Sequence, residues 1–124
     1  MSQGLKTTFL IHAIVALVFG IALYVVPGIF LGLVGWKDFD GNISRALAAA
    51  LLALAVSSWF GYRAARWEEV RIVVQMEIAF TVLGAVAGLY GFFVKGAPAV
   101  IWVSIVIWAA FAAAWIYFYR QAKA

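Results

Sequence analysis

Residues 7–26, TTFLIHAIVALVFGIALYVV, form an apolar stretch that contains no lysine, arginine, aspartate or glutamate. A bilayer core about 30 Å thick is crossed by an α-helix of about 20 apolar residues, so this stretch predicts a membrane-spanning helix. Pro27 follows directly and disfavours helical backbone at the residue before it. The stretch is longer than the roughly 7–15 apolar residues of a signal-peptide core, and we therefore expect this helix to be retained.

Three more stretches of the same kind lie further along the chain, at residues 43–62, 70–93 and 98–119. Asn42 or Ser44 is the expected N-cap of the second helix, and Pro98 is expected in the first turn of the fourth. The predicted fold class is all-α, a four-transmembrane-helix bundle that forms a single integral membrane domain over residues 1–124.

The segment after the first helix, GIFLGLVGW at residues 28–36, is too short to cross a bilayer and too apolar for an exposed loop. Segments of this kind lie in the membrane interface or fold back over the protein. The pattern therefore predicts a short interfacial segment at the outer side of the bundle. A gate over an outward-facing cavity is the alternative interpretation.

The composition excludes most soluble classes of protein. Hydrophobic residues make up 68% of the 124 residues and charged residues 11%, whereas soluble domains carry about 25% charged residues. A soluble enzyme, a disordered chain and a nucleic-acid-binding domain are excluded together, because too few polar side chains remain to cover a water-facing surface. The net charge of +4 does not indicate nucleic acid, since the basic residues are scattered singly. The expected partner is the lipid bilayer, and no nucleic acid is expected.

Cofactor and metal sites built from protein side chains also lack their usual ligands. The chain has no cysteine and one histidine, His12, which leaves a transition-metal site short of ligands. No nucleophile–histidine–acid set or phosphate-binding glycine loop is present either. We therefore expect no metal, no cofactor and no enzymatic activity.

The basic residues divide unevenly between the two sides of the predicted bundle. With four spans, both chain ends and the loop between the second and third spans share one side. Short cytoplasmic loops carry the excess of Lys and Arg, so we expect a protein of the cytoplasmic membrane with both termini in the cytoplasm. Trp67 and Trp115 are then expected in the inner interface. The shared side holds Lys6, Arg63, Arg66, Arg71, Arg120 and Lys123, and the other side holds Lys37, Arg45 and Lys95.

Two ionisable residues lie well inside the predicted spans, Glu77 in the third and His12 in the first. At about 1.5 Å per residue both lie roughly 8–11 Å from the inner ends of their spans, at matching depth. Ser57 and Ser58 reach a similar level on the second span, and Gln75 lies just below. Ionisable residues at such depth are costly and are functional candidates by default.

The cluster of Glu77, His12, Ser57 or Ser58, and Gln75 has three interpretations. It binds a proton or another cation, as a carboxyl group beside an imidazole is able to do. Alternatively, Glu77 and His12 form a structural tie between two spans, or they do not meet at all. A single axial ligand for haem or a chlorin magnesium is a weaker interpretation of the lone histidine.

A third charged residue, Arg45, lies about one turn into the second span from the outer side. Long arginine side chains extend to the interface, so one interpretation is an anchor paired with Asp38 or Asp40. The other is an outward-facing anion contact beneath residues 28–36.

Small residues at helical spacing predict close helix packing, since membrane helices associate through such surfaces. The third span carries Gly84 and Gly88 four residues apart, with Gly91 one turn later. These glycines pack helices within one subunit or between subunits of an oligomer. The alanines at helical spacing in the second and fourth spans have the same two alternatives, and they are Ala46, Ala50 and Ala53, with Ala49 beside them, and the pairs Ala109/Ala113 and Ala110/Ala114.

Two segments carry a family resemblance: VVPGIFLGLVGW at residues 25–36 and SRALAAALLALA at residues 44–55. Together with the glycine-bearing third span and the tryptophan-rich fourth, they resemble small four-helix integral membrane proteins of bacteria and archaea, including the DoxX-like proteins. The resemblance implies the same four-helix fold. It also implies an association with quinone-side oxidoreductase complexes, as in the better-known DoxX members, and it carries over no site residue.

Three functions are compatible with these patterns. The leading hypothesis is a non-catalytic membrane protein, either an accessory subunit of a larger membrane complex or a self-assembling homo-oligomer. The second is a proton-coupled transporter or channel for small solutes, centred on Glu77 and His12. The third is a redox-accessory membrane protein that binds a quinone or pigment.

Overall fold

The chain forms five α-helices and no β-strand within residues 1–123, which are the residues that the computed structural model describes. Four of the helices are long and apolar enough to cross a membrane, and the fifth is short. The predicted all-α bundle of four long apolar helices is confirmed. The helices are α1 (Gln3–Val25), α2 (Pro27–Leu33), α3 (Gly41–Arg63), α4 (Trp67–Lys95) and α5 (Ile101–Lys123).

Side-chain caps set the first residues of α1 and α3. The amide of Leu5 donates to Ser2 Oγ over 3.3 Å, and α1 therefore begins four residues before the predicted start. Asp40 Oδ1 accepts from the amides of Asn42 and Ile43 over 2.8 and 2.9 Å. Aspartate is among the preferred N-cap residues, and the prediction of Asn42 or Ser44 as the N-cap was wrong.

The ends of α4 and the start of α5 also differ from the prediction. Helix α4 has 29 residues and ends at Lys95, and the Gly96 that follows has a positive φ of 67°, which favours glycine. Before α5, the carbonyl of Pro98 accepts from the amide of Ile101 over 3.0 Å in a tight turn. Pro98 therefore lies in this turn, and the first residue of α5 is Ile101.

The four long helices pack as two close pairs, α1 with α3 and α4 with α5. In the first pair, a Cβ added to Gly20 of α1 would lie 3.3 Å from the backbone nitrogen of Leu52 in α3. In the second pair, Gly84 and Gly88 of α4 face side chains of α5. Glycines thus allow close packing in both pairs, as expected for helices in lipid.

The two pairs share an apolar core formed by Leu5, Phe9, Val70, Val74 and Trp115. This core lies at the end of the bundle where the start of α1, the α3–α4 loop and the end of α5 come together. We call that end of the bundle the termini end. Trp115 is fully buried with its ring 4.9 Å from that of Phe9, so it packs against other helices of the bundle and its predicted depth in the interface stays a prediction.

Helix α2 lies at the opposite end, which we call the α2 end. It begins with Pro27 at its first position, where proline is well tolerated. Pro27 is buried and the ring of Phe30 packs on Phe19 at 5.8 Å, so one side of α2 contacts the bundle. Ile29 and Leu33 are exposed on its other side, as suits a short segment lying in an apolar interface.

Candidate functional site

Three of the predicted polar residues, His12 of α1, Ser58 of α3 and Glu77 of α4, meet inside the bundle. His12 Nδ1 lies 2.8 Å from Ser58 Oγ, and Ser58 Oγ donates to Glu77 Oε1 over 3.3 Å. The direct distance between His12 Nδ1 and Glu77 Oε1 is 3.4 Å. We call these three residues the polar triad. Its serine bridges the imidazole and the carboxyl group.

The polar triad is closed to its surroundings. The exposed fractions of His12, Ser58 and Glu77 are 5%, 0% and 0%. Buried polar groups are costly unless they are hydrogen-bonded, yet Glu77 Oε2 has no hydrogen-bond partner in the part of the chain that the structure describes. One carboxyl oxygen is therefore engaged by the triad and the other is left without a partner.

Neighbouring side chains fix the position of the imidazole. The rings of Phe111 and Trp115 in α5 meet the His12 ring nearly edge-on, at centroid distances of 4.7 and 5.6 Å. Gly61, one turn from Ser58, leaves space that the ring of Phe9 fills. Helix α5 thus supplies an aromatic wall, although it contributes no titratable group to the triad.

Thr81 adds a polar group that sequence reasoning missed. It is 1% exposed, and its hydroxyl donates to the backbone carbonyl of Glu77 over 2.6 Å. Its position four residues after Glu77 was the available signal, since such residues share a helix face. Trp115 was also missed, and its Nε1 is buried without a partner among residues 1–123.

Two residues of the predicted cluster lie elsewhere. Ser57 donates to the carbonyl of Leu54 within its own helix over 2.9 Å. Gln75 is exposed and donates to the hydroxyl of Tyr119 over 2.9 Å. Because successive helix residues are rotated by about 100°, Ser57 points away from the triad that Ser58 joins, and Gln75 points away from the side of Glu77.

The hydrogen-bond chain has two self-consistent proton arrangements, since Ser58 has a single hydroxyl proton. When Ser58 donates to the Glu77 carboxylate, Nδ1 of His12 carries a proton and donates to Ser58. When the Glu77 carboxyl group is protonated and donates to Ser58, the serine donates to an unprotonated Nδ1. The triad therefore accommodates a transferable proton at either end.

Arg45 is exposed near the α2 end, and its Nε donates to the backbone carbonyl of Tyr24 over 3.2 Å. No salt bridge joins it to Asp38 or Asp40, and Asp40 serves as the cap of α3. The predicted ion pair was therefore wrong. Arg45 anchors the start of α3 to the end of α1.

The glycines of α4 face α5 of the same chain. A Cβ at Gly84 would lie 2.7 Å from the indole ring of Trp108, and one at Gly88 would lie 2.6 Å from Ile105 Cγ1. Gly91 is less confined, since its added Cβ would lie 3.4 Å from Ile101, an ordinary contact. Gly84 and Gly88 therefore set the close approach of α4 and α5.

All but one of the alanines singled out in the sequence point away from the bundle. The exposed members are Ala46, Ala49, Ala50 and Ala53 on α3 and Ala109, Ala110 and Ala113 on α5, and Ala114 is half-buried. The alanines that α3 and α5 bury are Ala48, Ala55 and Ala112. The sequence left open whether these alanines pack within one subunit or between subunits, and their exposure shows that most of them do not pack inside the single chain.

The charged loop at the termini end contains a local ion pair. Arg66 Nε lies 2.9 Å from Glu69 Oε1, and Glu69 Oε2 accepts from the amide of Ala65 over 3.1 Å. The hydrogen bond from Arg66 Nε to the Glu69 carboxylate raises the pKa of Arg66 above its ordinary value. The side chains of Arg66 and Glu69 thus neutralise one another at the start of α4.

Comparison with protein-family models, with curated proteins and with solved structures gave no match. The resemblance to DoxX-like proteins therefore stays a prediction. The function is inferred from the residues and geometry of this chain.

Proposed function

We propose that this protein is a proton-coupled membrane transporter or channel for small solutes whose polar triad binds and releases the proton. The observation that carries the proposal is the buried bridge from His12 through Ser58 to Glu77. This bridge joins the α1–α3 pair to the α4–α5 pair. A change in its protonation therefore acts on the contact between the two pairs.

The unpartnered oxygen of Glu77 supports a proton site over a purely structural tie. A neutral amide side chain in this place would make the same contact with Ser58 without the cost of a buried charge. A carboxyl group adds the ability to exchange a proton. His12 is the one titratable side chain that contacts it by a hydrogen bond or ion pair within residues 1–123.

The proton moves along the triad in two coupled transfers. A proton on Glu77 Oε1 passes to Ser58 Oγ while the serine's own proton passes to His12 Nδ1. A carboxyl group and a neutral imidazole thereby become a carboxylate and an imidazolium. The reverse transfers restore the neutral pair, and the total charge is unchanged in each direction.

This transfer changes the force between the helices. The carboxylate and imidazolium attract each other strongly in a medium of low dielectric constant, whereas the neutral pair is held by hydrogen bonds alone. The attraction acts between α1 and α4, which belong to different helix pairs. Proton transfer therefore shifts the balance between a tight and a loosened arrangement of the pairs, and this shift is the coupling step.

Proton flux into liposomes tests the proposal. The purified protein is reconstituted around a trapped pH indicator, and a pH gradient and a membrane potential are imposed. We expect flux above that of protein-free liposomes. Glu77→Gln, which keeps the shape of the side chain, is expected to abolish it.

Gln75→Ala in the same helix is the matched control, because Gln75 lies outside the triad, and it is expected to conduct like the unaltered protein. Equal flux through the Glu77→Gln variant would contradict the proposal.

The proposed setting is the cytoplasmic membrane, with both termini in the cytoplasm. Six of the nine basic residues lie on the side shared by the termini and the α3–α4 loop, which is the distribution expected for a cytoplasmic side.

A second candidate function is favoured by the outward-facing alanines of α3 and α5. Small residues on a lipid-exposed helix face permit close approach of another helix, as in a non-catalytic accessory subunit or a self-assembling bundle. Purification from native membranes without overexpression tests it. A stoichiometric larger partner, or an oligomer that Ala50→Leu dissociates, supports this function. An isolated subunit that Ala50→Leu leaves unchanged contradicts it.

A further inference from the structure

A groove of about 420 Å³ lies between α3 and α4 at the termini end. Ser57, Gly61 and Arg63 line it from α3, and Glu69 and Val73 line it from α4. We call it the α3–α4 groove. Charged side chains lie at its mouth, and smaller and apolar residues lie further in.

The groove approaches the polar triad to within about one helical turn along α3 and α4. Gly61 follows Ser58 by three residues, and Val73 precedes Glu77 by four. Residues at these spacings share one face of a helix, about one turn of 5.4 Å apart. The inner end of the α3–α4 groove therefore lies about one helical turn from the bridging hydroxyl and the carboxyl group.

The path from the triad to the opposite end is longer. Toward the α2 end, Trp108 packs on Gly84 and Ile105 on Gly88 in one helix pair. In the other pair, Leu52 packs on Gly20. In contrast, Ser58 lies only five residues from Arg63 at the end of α3, about 7.5 Å at the rise of an α-helix.

We propose that the α3–α4 groove is the water-filled path by which a proton reaches the polar triad from the membrane side that Arg63 faces. This inference rests on the proposed function and adds the side and route of access. Water enters between the charged mouth residues and reaches the level of Val73 and Gly61. In the structure, Glu77 is fully buried, so the last turn opens when the two helix pairs loosen.

Cysteine labelling tests the route, because the chain contains no cysteine of its own. Val73→Cys places a thiol in the groove. Ile72→Cys places one at nearly the same depth on the exposed side of α4, where the residue is 66% exposed. A cationic, membrane-impermeant methanethiosulfonate reacts with thiolates in water, and we expect it to modify Val73→Cys at least tenfold faster. Equal rates, or faster reaction at Ile72→Cys, would overturn the inference.

The same labelling experiment shows from which side of the membrane the reagent reaches the groove. Gln121→Cys, near the end of α5, marks the side on which the termini lie. The reagent is expected to reach Val73→Cys only from the side on which it reaches Gln121→Cys. Ser57→Cys provides a second groove position, so the test survives a folding defect in either variant. Labelling of both groove positions from the opposite side only would refute the assigned route.

Proton flux separates this inference from the proposed function. Complete modification of Val73→Cys is expected to block flux, and modification of Ile72→Cys is expected to leave it unchanged. Flux that persists after complete modification at Val73 overturns the access route while the proton site stands. If the protein conducts no protons before labelling, the proposed function is overturned. The proposed proton route is then overturned as well, even where the labelling pattern shows water in the groove.

Discussion

Ser58 stabilises the contact of three helices through one hydroxyl group. Its oxygen lies within hydrogen-bond distance of both His12 and Glu77. Hydrogen bonds to charged groups contribute about 1.5–3 kcal/mol in proteins, whereas polar contacts inside membranes average about 0.6 and reach about 1.7 kcal/mol. The membrane values govern here, because the unfolded chain in lipid also finds polar partners.

Ser58→Ala is therefore expected to lower the free energy of unfolding by about 0.6–1.7 kcal/mol. The substitution removes the hydroxyl bridge and leaves His12 and Glu77 without their shared partner. Ser57→Ala is the matched control, since Ser57 bonds only to the carbonyl of Leu54. Its expected loss is below about 0.5 kcal/mol. Detergent-driven unfolding of both variants measures the difference, and equal losses would contradict the bridging role.

A double-mutant cycle tests the coupling between the two titratable ends of the triad. Residues in contact give non-additive effects of about 0.5–3 kcal/mol, so Glu77→Gln and His12→Ala together are expected to destabilise less than the sum of the single changes. The same unfolding assay gives all four free energies. Strictly additive losses of unfolding free energy would mean that the contact between His12 and Glu77, whose atoms lie 3.4 Å apart, does not contribute to stability.

The sequence predicted the depth of these residues but not all of their directions. The rise per residue of a helix is fixed, and counting along each span therefore placed His12 and Glu77 at the same level. Direction depends on how each helix is rotated by its tertiary contacts. Ser57 and Ser58 are nearly equal in depth, and only packing against α1 and α4 decides which one joins the triad. Trp115 shows the same limit, because its contact with Phe9 turns it inward.

At the level of elements, α4 and α5 approach closely because two side chains of α5 fill the spaces beside Gly84 and Gly88. We expect Gly84→Leu or Gly88→Leu to lower the free energy of unfolding by about 1–3 kcal/mol, the usual cost of overpacking. Ala87→Leu is the control, since Ala87 is exposed on the same helix. Losses of the same size in all three variants would indicate a general effect of leucine in α4.

Spacing identified the small residues, but it did not identify their partners. Gly84 and Gly88 meet a neighbouring helix of the same chain, whereas Ala50 and Ala109 face outward. Both patterns satisfy the same spacing rule, which specifies one face of a helix and leaves open what covers it. The choice depends on which pairs of faces pack best across the whole bundle.

For the whole molecule, the proposed topology gives a direct prediction. Reporter domains fused at either terminus are expected to be active in the cytoplasm, and a reporter inserted in residues 37–42 is expected to be active outside. The reason is the excess of basic residues at the termini end. Reporters with paired activities on the two sides of the membrane measure this, and opposite locations for the two termini would contradict four crossings.

The length of α4 makes the bundle responsive to membrane thickness. Its 29 residues span about 43 Å, against about 35 Å for each 23-residue helix, while the hydrocarbon core is about 30 Å thick. A helix longer than the hydrocarbon layer tilts, and a thinner layer increases the tilt. Because α5 is held against Gly84 and Gly88, tilting α4 carries α5 with it and changes the angle at which both meet α1 and α3. The acyl-chain length of the surrounding lipids therefore affects the contact between His12 and Glu77.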